Sequence, residues 1–168
     1  MMRIHLTRFL AAAFMAVAAL ATPALAHDQQ LGDLLLHHPW ARATPGGAKA
    51  GAAYLRIENH GDTADTLIGA SADIAALVEI HMMSMENDMM VMGPAGEVEI
   101  PAHGTVELKP HGLHIMLMGL KRPLKEGETV PVTITFARAG SIVLEVKVEA
   151  IDATGEGGME GDAEEHSH

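Results

Sequence analysis

The stretch VPVTITFARAGSIVLEVKV, residues 130–148, decides the fold class. Val132, Ile134 and Phe136 alternate with Thr133 and Thr135. Past the turn at Ala139-Gly140, Leu144, Val146 and Val148 alternate with Glu145, Lys147 and Glu149. A period of two sends the apolar set to one face and the polar set to the other, as in strands with one face buried. Working outward, short apolar stretches recur at roughly the 8–12-residue spacing of an all-β sandwich or barrel. They are Leu34–His38, Ala52–Glu58, Thr66–Ala70, Leu77–Met82, Met89–Met92, Val98–Ile100, Thr105–Leu108 and Leu113–Met118. Turn formers separate them, among them Pro45-Gly46-Gly47, Asn59-His60-Gly61-Asp62, Gly93-Pro94, Pro110-His111-Gly112 and Glu126-Gly127. Ala72–Leu77 has room for one short helical turn, and nothing longer reads as helix. The expectation is one all-β domain over residues 33–149, preceded by a loose arm at 27–32.

The composition excludes several functions. The 168 residues carry a formal charge of −11, which argues against nucleic acid because a phosphate backbone needs a Lys/Arg patch. There is no cysteine, which removes disulfides, thiolate metal sites, thiol catalysis and a lipid-bearing cysteine from this sequence. Aromatic residues are only 3%, too few for stacking platforms. The excess is in 12 methionines and 11 histidines.

Residues 1–26 read as a secretory signal peptide. Arg3 and Arg8 form a basic start, Phe9–Leu20 an apolar stretch, and Ala24-Leu25-Ala26 a small-x-small cleavage site. Thr22-Pro23 breaks the run before it reaches the about 20 apolar residues of a membrane span, so no stable membrane insertion is expected. The mature chain then begins at His27, in the oxidising periplasm, where a metal site does better without thiols. At the other end, residues 150–168 hold six acids, no Lys or Arg, and four glycines, the composition of a disordered acidic tail.

A methionine stripe is more often packing than a ligand set. Alternation tests that strand by strand. In Leu113–Met118 the branched Leu113, Ile115 and Leu117 claim the core face, leaving His114, Met116 and Met118 together on the other. In Leu77–Met82 the core face takes Val78, Ile80 and Met82, so His81 points outward with Leu77 and Glu79. Met83–Met92 reads as a hairpin. A turn at Glu86-Asn87 puts Met92 directly opposite His81, a turn at Asn87-Asp88 shifts the register by two on the same face, and a three-residue loop separates the two faces. Met90 shares a face with Met92 and is a candidate extra thioether. Met83, Met85 and Met89 cluster at the tip.

Two imidazoles with two thioethers make a soft site. Thioether sulfur selects Cu(I), and imidazole accepts copper. Protons compete for the imidazoles alone, so affinity falls with pH. No nucleophile with a paired base and no phosphate loop accompanies these residues, so the expected role is binding rather than catalysis.

The spacing His81, Met92, His114, Met116 resembles the H-x10-M-x21-H-x-M pattern of the PCu(A)C periplasmic copper chaperones. Trp40–Gly46 is similar to that family's first strand and loop, Met85-Glu86-Asn87 to its hairpin tip, and His114–Gly127 to its HxMLMGLKRPLKEG block. The resemblance spans about residues 35–148. It implies a cupredoxin-like β-sandwich or barrel holding one Cu(I) through His81, Met92, His114 and Met116. It further implies delivery to the binuclear copper centre of cytochrome c oxidase, alongside a Sco-type thiol protein. Asp88, where the turn favours glycine, departs from the pattern.

Further copper contacts are expected at the ends. Cleavage after Ala26 exposes an amine and imidazole on His27 that chelate Cu(II), and Met159, His166 and His168 offer a loose secondary site for the same ion. The competing reading is a copper-sequestering resistance protein with no specific recipient. A redox enzyme built on His27 ranks third, since no partner histidine is evident from the sequence.

Overall fold

The computed structural model describes residues 28–155. Among the described residues there are eleven strands: β1 (Gln29–Leu31), β2 (Leu34–Arg42), β3 (Ala50–Asn59), β4 (Asp65–Ser71), β5 (Leu77–Glu86), β6 (Met89–Pro94), β7 (Val98–Ile100), β8 (Thr105–Leu108), β9 (Leu113–Met118), β10 (Thr129–Phe136) and β11 (Gly140–Glu149). Among the described residues there is no helix, hence none long and apolar enough to cross a membrane. The Ala72–Leu77 segment is a turn closed by the Ala75 N–H on the Ala72 carbonyl, 3.2 Å.

The strands join in the order β6-β5-β9-β3-β2-β11-β10-β4-β7, with β1 on β2 and β8 on β3. Every pairing is antiparallel except β11 with β2, which links the two halves of the chain through Lys147 opposite Trp40. The path is open, ending at β6 and β7, and wraps around one core. Val130, Val132, Ile134 and Phe136 of β10 and Leu144, Val146 and Val148 of β11 are buried. Facing them are Leu34, Leu36, Leu55, Ile57, Ile80, Ile115 and Leu117 of the other half. Thr133 and Thr135 stay on the outer side, as a period of two requires.

Three local features escape that pattern. The arm is partly a strand, because β1 pairs with β2 through Gln29–Leu36 and Leu31–Leu34. In β2 one extra residue is inserted between His37 and Trp40, at His38-Pro39, where His38 has φ +44°. A bulge is where a strand tolerates proline, and this one moves Trp40 to the outer face beside Tyr54, ring centres 4.5 Å apart. Third, the chain past β11 folds back. Arg42 Nε–H donates to the Ala153 carbonyl, 2.7 Å, and Gly155 lies so close to Trp40 that an added Cβ would meet the indole at 2.5 Å. Residues 150–155 thus belong to the folded unit, and only 156–168 of the expected tail lie outside the described residues, as does the expected signal peptide.

Candidate metal centre

β5, β9 and β6 bring the His and Met residues together. In the β5–β9 ladder His81 is directly opposite His114, and Glu79 is directly opposite Met116. Directly opposed side chains on one face have Cβ atoms about 4.5–5.5 Å apart, and diagonal neighbours are still within reach of long side chains. His81, His114 and Met116 therefore occupy three corners of a rectangle and Glu79 the fourth. On the other side of β5, His81 is opposite Pro94 and Met83 is opposite Met92, which puts Met92 diagonal to His81. The turn is Asn87-Asp88, with φ +51° and +64°, the second of the registers the sequence allows.

Both histidines are buried, His81 at 8% and His114 at 4% exposure. His81 was expected to point outward and lies on the face away from Ile80 and the core, yet it is buried. The expected core placement of Met82 is corrected: at 39% it is exposed, because β5 there runs past the edge of the core.

Each ring has one nitrogen engaged. His114 Nδ1–H donates to the Gly112 carbonyl, 3.0 Å, which leaves Nε2 with its lone pair. His81 Nε2 sits 2.9 Å from Glu79 Oε2. Among the described residues its Nδ1 is buried with no hydrogen-bond partner. The ring centres are 6.0 Å apart. An ion about 2 Å from one nitrogen of each ring would leave the centres roughly 6 Å apart at a wide angle, so the spacing suits one shared ion.

The thioethers grade from the histidines to solvent. Met116 is half-buried, Met92 is 48% exposed and Met90 51%. Sequence reading undervalued Met83. It is half-buried, opposite Met92 and two residues beyond His81 on the same face, a position alternation could have flagged. Gly119, with φ +64° and only 2.8 Å from a would-be Cβ to the Ala76 Cβ, ends β9 just past Met118. His27, Met159, His166 and His168 lie outside the described residues.

The other described histidines are His37, His38, His60, His103 and His111. His37 lies between Asp28 (2.7 Å) and Glu58 (3.3 Å), His60 near Glu58 (3.3 Å), and His103 on Asp62 (2.8 Å). His38, His103 and His111 occupy left-handed backbone positions. Among the described residues no group of three or more His, Asp or Glu side chains is arranged to hold an ion.

Known proteins resemble this chain over most of its length. The family model described as "Putative lipoprotein LpqE-like" matches residues 34–148. The chain belongs to this PCuAC-like family. A relative, "Putative lipoprotein Lxx21020" of Leifsonia xyli subsp. xyli, is 30% identical over 129 residues, 76% of each chain. Among solved structures the protein resembles the copper-bound PCuAC domain from PmoF2, with TM-score 0.64 and 25% identity over 74% of this chain and 98% of that one. It also resembles CuI-DR1885 from Deinococcus radiodurans, with TM-score 0.55 and 32% identity over 71% and 79%. The fold of this PCuAC-like protein is the cupredoxin-like one that the resemblance implied.

Proposed function

We propose that the protein is an exported Cu(I) carrier that binds one ion through His81, His114, Met116 and Met92 and hands it on. The observation that carries this is the pair of buried imidazoles opposed across β5 and β9, each with a bare nitrogen, beside thioethers. Two structural relatives, the copper-bound PCuAC domain from PmoF2 and CuI-DR1885, support copper as the ion. All four ligands are neutral, and sulfur without a thiolate holds Cu(I) while leaving it extractable by a thiolate acceptor. The role is binding and not catalysis.

The recipient we propose is the binuclear copper centre of cytochrome c oxidase, with a Sco-type thiol protein as co-factor in assembly, and the compartment is the periplasm after cleavage at Ala26. The lipoprotein description of the family fits an envelope location. With no cysteine in the sequence, a cysteine-borne lipid has no attachment point in it. His27 at the mature N-terminus, or Met159, His166 and His168, would take Cu(II) as a secondary site.

One observation favours copper storage as a second reading: Met85, Met89 and Met90 are 62%, 66% and 51% exposed at the hairpin, more thioether than one ion needs. Competition for Cu(I) against a chromogenic chelator, with protein beginning at His27, tests both. The carrier reading expects one tightly held ion and at least about 100-fold weaker binding in His114→Ala/Met116→Ala. Several equivalents held per chain would favour storage, and full affinity in the double variant would remove the site.

A further inference from the structure

We infer that Glu79 is a positioning residue of this centre: its carboxylate holds His81 in the tautomer that offers Nδ1 and places a negative charge beside a neutral donor set. The inference rests on the Cu(I) reading and deepens it.

An ionised carboxylate accepts hydrogen bonds and cannot donate them, so the 2.9 Å contact from Glu79 Oε2 to His81 Nε2 requires the proton on Nε2. Nδ1 then carries the lone pair, and it is the nitrogen left buried without a partner among the described residues. A ligating histidine whose other nitrogen donates to a carboxylate is fixed in orientation and made more basic. His114 obtains the same constraint from a backbone carbonyl, that of Gly112, which no side-chain substitution can remove. His81 depends on Glu79 instead.

The register explains why Glu79 can serve. It is two residues before His81 on one strand and directly opposite Met116, so it completes the rectangle that His81, His114 and Met116 begin. Among the described residues its ion-pair partner is His81 alone. Cu(I) with two imidazoles and thioethers carries a net charge of +1. Glu79, 38% exposed at the side chain, brings a compensating charge to the edge of the site without becoming a ligand.

Two variants separate the two contributions. Glu79→Gln keeps an oxygen acceptor for Nε2–H and loses the charge; Glu79→Ala loses both. Cu(I) affinity is expected to fall about 10–100-fold in Glu79→Ala, the range seen for such outer partners, with Glu79→Gln in between. Ring nitrogen-15 shifts of His81 supply a readout that loss of packing would not move. They are expected to show protonated Nε2 in the apo protein, metal on Nδ1 when one equivalent of Cu(I) is added, and mixed tautomers in apo Glu79→Ala. Copper on Nε2 in the wild type, or undiminished affinity in Glu79→Ala, would overturn the role of Glu79 and leave the carrier reading standing. A wild-type protein that takes up no Cu(I) would overturn both.

Discussion

Asp65 is the carboxylate on which the joint between β4 and the β10–β11 turn depends. Its Oδ1 accepts from the N–H of Thr66 at 2.7 Å and of Arg138 at 2.9 Å, and its Oδ2 from Ala139 at 2.9 Å. Burial by itself would raise its pKa. The backbone N–H groups of Arg138, Thr66 and Ala139, with the Arg138 guanidinium, outweigh that and hold it below its ordinary value of 3.8. A carboxyl lowered by folding stabilises the protein fully above its unfolded pKa and loses that contribution as pH falls through the folded value. Urea melts across pH should therefore show stability declining below about pH 4. Asp65→Asn should cost on the order of 1–3 kcal/mol at neutral pH, since its amide cannot accept on both sides, and should flatten the acid limb. Parallel acid limbs in the two proteins would refute this. At the same scale, His114 and Met116 were legible in the sequence because Leu113, Ile115 and Leu117 alternate with them without exception. His81 and Met82 were assigned to the correct faces, yet with the wrong exposures. Alternation reports the face of a strand, and exposure depends on what lies over that face, which only neighbouring strands determine.

The β5–β6 hairpin shows the same limit for whole elements. Period-two patterns located both strands, but three turns remained open because each pairs methionine with methionine. The structure takes the Asn87-Asp88 turn, with both residues at positive φ, the backbone of a type I′ hairpin. Asparagine tolerates that conformation well and aspartate less well, whereas glycine carries no steric penalty there. Asp88→Gly should stabilise the hairpin by about 0.5–1 kcal/mol, read as slower hydrogen exchange at the Ser84 and Val91 amides, which face each other across it. Faster exchange would mean that the Asp88 side chain supports the turn. β1 was not legible because Gln29-Gln30-Leu31 is too short to display a period. The bulge at His38-Pro39 was hidden for another reason: an inserted residue breaks the very alternation by which a strand is recognised.

For the molecule as a whole, an open sheet wrapped on one core leaves two edges, and the candidate centre lies at one of them. β6 is that edge, and its Met89, Met90, Val91 and Met92 are 66%, 51%, 37% and 48% exposed. An apolar edge strand invites unwanted pairing, so its retention needs a reason other than packing. A path of thioethers from solvent to two buried imidazoles is such a reason under the carrier reading. X-ray absorption of the full-length mature protein, loaded with one equivalent of Cu(I), measures that claim most directly. The predicted copper environment combines imidazole nitrogen and thioether sulfur, with the imidazole scattering lost in His81→Ala/His114→Ala. A shell of sulfur alone, or one unchanged in that variant, would put the ion at the hairpin methionines or elsewhere and contradict the account.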